Sequence, residues 1–177
     1  MLIDNKLQIK NINLAVYKWL ELLDIVPKTH IVRREQNVPR PRTGSYIGFK
    51  LTSGPFKIGL NDNIDHKSDS IFTNWGQREL IYSVQTFREN ANQIAAYIHD
   101  SQEILDVRDM LRSFNVAIID VSPPLDISYG IETGFEERGE VTIRLRSNSE
   151  WDVDLGAIET TQIVGTLTSD SGNEIIV

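Results

Sequence analysis

The chain contains no cysteine. That excludes disulfide staples, thiolate catalysis and zinc–sulfur sites, and it leaves the redox compartment open. No apolar run approaches the roughly 18 residues that a helical bilayer crossing needs. Basic residues are in deficit: 18 Lys and Arg stand against 25 Asp and Glu, a formal net charge of −7. A general nucleic-acid binder needs a basic footprint, so that class is disfavoured. The opening MLIDNKLQIKN lacks a basic-then-apolar signal pattern, and synthesis in the cytosol is the expectation. No internal repeat or low-complexity tract interrupts the chain.

Catalytic signatures are missing too. There is no G-x-x-x-x-G-K-[ST] loop, no G-x-G-x-x-G after a strand, no H-E-x-x-H and no G-x-S-x-G. His30, His66 and His99 lie on separate elements, and metal ligands usually cluster at characteristic spacing. Asp62, Asp65 and Asp69 invite a calcium reading but lack the glycine and closing glutamate of an EF-hand loop. Asp152 and Asp154 form a D-x-D in a stretch read as a polar loop, where plain solvated charge is the commoner meaning. Glu136 and Glu137 are neighbours that would face opposite ways on a strand, so they make poor acid/base partners. No catalytic, cofactor or metal residue is assigned.

What is present supports one domain spanning residues 1–177, with 1–10 and 168–177 as mobile tails. At 177 residues and 40% hydrophobic content, the chain can build its own core and bury about 70% of its unfolded surface. A first helix is expected from Asn11 or Asn13 to about Asp24, with Ile12, Val16, Trp19, Leu20 and Leu23 on one stripe. His30–Glu35 is extended. Ser45–Leu51 and Phe56–Leu60, separated by Ser53-Gly54-Pro55, read as a hairpin. Residues Asn61–Asn74 read as a long polar loop, a length that favours function or disorder.

The centre of the chain is the stretch Gly76–Ser122. Gln77–Phe87 alternates with period 2. Asn90, with Gln93 three residues on, starts a helix in a capping-box pattern. A break near Asp100 and Glu103 precedes a second short helix to about Ser113. Asn115–Val121 reads as a strand buried on both faces, ended by Ser122-Pro123-Pro124. Such a unit usually closes right-handed into a parallel strand pair. Leu125–Phe135 is irregular. Glu140–Arg146 is the clearest half-buried strand, with Val141, Ile143 and Leu145 inward. Ser147–Asp154 reads as a polar loop, and Leu155–Leu167 as a final strand with a bulge near Thr160–Thr161. The class is α+β: a single-domain mixed β-sheet flanked by helices, with a β-hairpin arm and a long polar loop.

One charge feature stands out. Arg33, Arg34, Arg40 and Arg42 fall in and beside QNVPRP (Gln36–Pro41), where prolines restrict the backbone. Arginines on a stiffened segment lose less entropy on docking. With Asn37, and with Asp62, Asp65 and Asp69 of the polar stretch, they are the candidate protein-interface residues.

The order of these features resembles the tailed-bacteriophage neck or tail terminator proteins. It runs from a leading helix with Trp19-Leu20 through QNVPRP to a strand opening at Tyr46. GQRELIYSVQTF (Gly76–Phe87) and an alanine-containing helix (Ala91, Ala95, Ala96) follow. NVAIIDV comes next, then ERGEVTIRLR (Glu137–Arg146) with Arg138 just before the strand, and last Ile158-Glu159. Family members often carry a glycine after the aromatic of the long strand. Here Arg88 follows Phe87, and the turn is expected to differ.

The resemblance implies a non-enzymatic virion protein made in the host cytoplasm and placed at the tail or neck. It implies a homo-oligomeric ring, usually of six copies, that caps the tail tube protein, stops tail elongation and meets the head connector or stopper protein. In contractile tails it also implies contact with the sheath protein. No cofactor and no membrane are implied, and DNA would pass the negative lumen without specific binding. The alternatives are another neck ring, such as a head-completion or stopper protein; a small metal-dependent hydrolase built on His30, His66 and the loop aspartates; and an adaptor that binds peptides on a sheet edge.

Overall fold

A computed structural model describes residues 5–34, 39–59, 63–66, 71–131, 134–154, 166–168 and 174–176. Its frame is a seven-stranded mixed sheet, and the three α-helices among the described residues pack on one face of it. Helix α1 (Asn5–Leu22) leads. It starts earlier than the asparagines suggested, because Asn11 and Asn13 lie inside it rather than at its cap. Asn13 is buried, and its Oδ1 accepts the Tyr82 hydroxyl at 2.9 Å. Of the predicted stripe Ile12, Val16, Trp19 and Leu20 are buried, while Leu23, just past the helix end at Leu22, is half-buried against the core. Trp19 donates its indole N–H to Ser101 Oγ at 2.9 Å. Without that acceptor a buried donor would cost about 1–3 kcal/mol.

Strand β1 (Ile31–Arg33) pairs in parallel with β2 (Tyr46–Lys57). In place of the expected hairpin of Ser45–Leu51 with Phe56–Leu60, residues 46–57 form this one strand, and residue 60 lies outside the described residues. Its register against the next long strand shifts twice, between Leu51 and Phe56. Gly54 explains the misreading. It sits at φ 100°, and a Cβ there would lie 2.5 Å from the Glu79 carbonyl oxygen. The glycine thus serves a close backbone approach within a paired strand, not a reversal of the chain.

The hairpin lies further on, in the stretch expected to be a loop. There β3 (Asn63–His66) pairs antiparallel with the start of β4 (Ile71–Phe87). Strand β4 and β9 (Arg138–Asp154) pair residue for residue, from Ile71 opposite Asp154 to Phe87 opposite Arg138. The predicted loop Ser147–Asp154 is therefore strand. Its polar residues keep the period: Ser147 and Ser149 are buried, as Val141, Ile143 and Leu145 are. Gly76 stands opposite Ser149, so this end of the ribbon is narrow rather than filled by large apolar groups.

Between the two long strands come α2 (Ala91–Asp100), a 3-10 turn at Ser101–Glu103, α3 (Leu105–Ser113) and β5 (Val116–Val121). The helices and their break match expectation, but the capping does not. Asn90 adopts φ 60° and makes no side-chain cap bond. Glu137 does that work from outside the helix, taking the Asn92 N–H at 3.0 Å. A carboxylate there also suits the positive end of the helix dipole.

The parallel pairing of β4 with β5 is not found. The sheet order is β1-β2-β4-β9-β5, so β9 lies between them, antiparallel to both. Alternating β9 offers two long edges, and local pattern in β4 and β5 does not reveal it. Strand β5 is consequently an edge, not a doubly buried strand: Ala117, Ile119 and Asp120 are exposed. Its register slips between Ile118 and Asp120.

The stretch read as irregular holds β6 (Leu125–Asp126), which pairs with β9. It also holds β7 (Tyr129–Ile131) and β8 (Gly134–Glu136), which form a separate two-stranded sheet. Strands β10 (Thr166–Thr168) and β11 (Glu174–Ile176) form another. The bulge expected near Thr160–Thr161 lies outside the described residues.

Candidate assembly surface

Directly opposed residues in antiparallel strands share a face. Phe49, Val84 and Val141 form one such row, and Leu51, Tyr82 and Ile143 another. Both point at the helices. The alternate rows line the opposite face: Tyr46–Phe87–Arg138, then Gly48–Gln85–Glu140, then Lys50–Ser83–Thr142. This face is polar and internally bonded. Ser83 donates to Glu140 Oε1 at 2.6 Å, and Arg144 reaches Glu79 Oε1 through two nitrogens at 3.0 and 2.6 Å.

The first of these rows is a column of aromatic rings and arginines. Tyr46 and Phe87 stack with centroids 4.4 Å apart and planes 5° apart. The Arg138 guanidinium lies 5.0 Å over Phe87 and 4.3 Å over Tyr129, and that of Arg88 lies 5.1 Å over Tyr46. Glu136 holds Arg138 by a salt bridge, with Nε 2.7 Å from Oε2. Arg34 fits a slot left by Gly48, where a Cβ would lie 2.9 Å from its Cγ and 3.3 Å from the Phe87 ring. Burial pushes the Tyr46 hydroxyl above its ordinary pKa, against the pull of Arg40, Arg88 and Arg138.

Arg88 adopts φ 71°, a conformation glycine takes most easily and one that costs other residues about 1–2 kcal/mol. An arginine at this position therefore leaves the turn glycine-like in its backbone. Two contacts hold the arginine there: the Tyr46 ring, and the Gly44 carbonyl, which accepts from Nη1 at 2.9 Å. Ser45 Oγ donates to the Glu89 carbonyl at 2.6 Å. Gly44 and Ser45, just after the proline segment, are thus pinned to the turn between β4 and α2.

The candidate residues do not form one site. Arg34 lies against the column at Gly48, and Arg40 is exposed near enough to act on the Tyr46 hydroxyl by its charge. Arg42 is exposed beside it in sequence, and Arg33, half-buried, shares its strand parity with buried Ile31. Asp65 lies on β3, where it accepts the Trp75 indole N–H at 2.7 Å. Its neighbour strand meets β9 near Thr73, and Thr73 to Phe87 is about 45 Å of strand at about 3.3 Å per residue. Asn37, Asp62 and Asp69 lie outside the described residues. Sequence reasoning missed Arg88 and Arg138 as members of the column. The available signal was their place next to Phe87 and at the head of β9, since strand ends meet when strands pair.

The polar groups offered for chemistry are spread out. His30 Nδ1 lies 2.9 Å from the Ser45 carbonyl and His99 Nδ1 3.0 Å from that of Ser122. Among the described residues no three metal-ligating side chains come together.

A family model described as phage neck terminator protein matches residues 10–171. The chain belongs to that family. Its role is accordingly a structural one at the phage neck. No curated protein matches the chain. Within the family match lie the arginine–aromatic column, helices α2 and α3 and the paired length of β4 and β9.

Proposed function

We propose that the protein forms a closed ring at the top of the tail tube, of six copies as the family resemblance implies. The ring stops tube elongation and joins the tail to the head connector. The observation that carries this reading is the family match across residues 10–171. The structure supports it in its division of labour. One sheet face is sealed by helices, while on the other the buried rings of Tyr46 and Phe87 hold Arg34, Arg88 and Arg138 in a preformed column. Arginine and aromatic residues dominate the energetics of protein interfaces, and here their geometry is set before any partner arrives. The hairpin arm at the far end of β4 gives each copy a second surface, and a ring needs two different patches per copy. The protein works without a reaction centre, and the −7 charge per copy keeps the lumen from retaining DNA.

Deleting the gene from its phage tests the reading. Overlong or unstable tails are expected. Normal-length tails lacking heads would instead assign a stopper role, and normal infectious particles would overturn a neck function.

A further inference from the structure

We infer that the hairpin β10–β11 of one copy adds to the free edge of β5 in the next copy, extending the main sheet across the ring joint. The inference rests on the ring reading and names one of its contacts. Among the described residues the sheet ends at β1 on one side and β5 on the other. Strand β1 is only three residues long, and short edge strands are poor templates. Strand β5 is six residues long, and Ile119, 36% exposed, stands at its register slip. An exposed edge of that length presents unpaired backbone donors and acceptors to an incoming strand.

Two cavities flank this edge. One of about 390 Å³ lies between α3 and β5 and includes Arg108 and Arg112. Another of about 280 Å³ at the start of β5 includes Arg112 and Arg146. Arg146 Nε is buried there without a hydrogen-bond partner, and a buried guanidinium N–H is costly to leave so. The exposed ion pairs Arg108–Glu103 and Arg112–Asp109 are weak enough to exchange for a better acceptor.

The matching strand is in the same chain. Strands β10 and β11 pair with each other, Leu167 opposite Ile175, as a separate two-stranded sheet. Such a hairpin is marginal in water without a third strand or a surface. Among the described residues of one chain it does not pair with β5, whose ladder partner is β9. After Arg146 the sequence contains no Lys or Arg and six Asp or Glu. By sequence the stretch after Arg146 is acidic, while the edge sets Arg108, Arg112 and Arg146 beside Glu103, Asp109 and Asp120. Because donor and acceptor patches differ, the contact repeats head to tail and closes a ring.

The absence of cysteine makes the test direct. Full-length single variants at the edge (Ala117→Cys or Ile119→Cys) are mixed in turn with Thr166→Cys, Leu167→Cys, Ile175→Cys or Ile176→Cys and oxidised mildly. Docked strands raise the local concentration to the millimolar range. Disulfide-linked dimers should therefore exceed those of a Lys57→Cys control about a hundredfold at micromolar protein. Adding Arg108→Glu and Arg112→Glu to the edge partner should remove most of that gain. Rings in electron micrographs without cross-linking from any hairpin position would overturn this contact and leave the ring reading standing. A disulfide formed only when both cysteines share one chain would also overturn it. A chain that stays monomeric and does not cross-link would overturn both.

Discussion

Gly139→Ala should destabilise the fold although it adds a single methyl group. Gly139 stands in β9 opposite Thr86, where α2 crosses the sheet. A Cβ there would lie 2.8 Å from Ala95 Cβ, 2.8 Å from Thr86 Oγ1 and 3.0 Å from the Ala91 carbonyl oxygen. None of these is the end of a flexible chain. Thr86 Oγ1 lies 2.7 Å from the Ala91 carbonyl and 3.2 Å from that of Gly139, so moving it disturbs the lock between helix and sheet. Overpacking of this kind costs about 1–3 kcal/mol. Replacing glycine stiffens the unfolded chain and returns about 0.4–1 kcal/mol. The net expectation is a loss of about 1–2 kcal/mol, or about 2–8 °C in Tm for a chain of this size. Thermal unfolding followed by far-ultraviolet circular dichroism, at fixed protein concentration because assembly shifts Tm, measures it. Ala95→Gly in the same chain should recover part of the loss, since the two positions touch. A Tm equal to that of the parent would refute the packing of α2 on this glycine.

Arg88→Gly relieves a left-handed arginine but removes its contacts to Tyr46 and Gly44. Chemical denaturation should change by less than about 1 kcal/mol, as the two effects offset, while ring formation measured by light scattering should fall. Replacing Arg34, Arg40 and Arg138 together by alanine should likewise reduce assembly, with the circular dichroism spectrum retained; unchanged assembly would clear the column of an interface role. Trp19→Phe should cost about 1–3 kcal/mol, because it opens a gap in the core and loses the bond to Ser101, read as a shift of the urea midpoint. Burial holds the Tyr46 hydroxyl neutral, so its contribution is intact below the ordinary tyrosine pKa near 10 and is lost as pH rises beyond it. Tyr46→Phe should flatten that alkaline decline in Tm.

The elements visible in the sequence were those whose apolar groups mark a face by size. Val141, Ile143 and Leu145 alternate with Thr142 and Arg144, and Ile12, Val16, Trp19 and Leu20 repeat at helical spacing. Both patterns survive folding because burial of large groups dominates the local energy. The far half of the same strand escaped notice since its inward positions hold Ser147 and Ser149, whose small polar side chains read as loop. Gly54-Pro55 misled for a related reason: a turn and a bulged, close-packed strand use the same residues. The place of β9 between β4 and β5 is non-local and is written in no single segment. The column was half legible. Arginines at residues 34 and 40 stood out as a cluster, but Arg88 and Arg138 join them only once Phe87 and Arg138 face each other across the ladder.

Electron microscopy of the purified protein, alone and after mixing with tail tubes of its phage, examines self-assembly directly. The account predicts closed rings of one size seated at tube ends, and tubes that no longer lengthen when more tube subunits are added. Single globular particles that leave tube length and tube ends unaltered would contradict it.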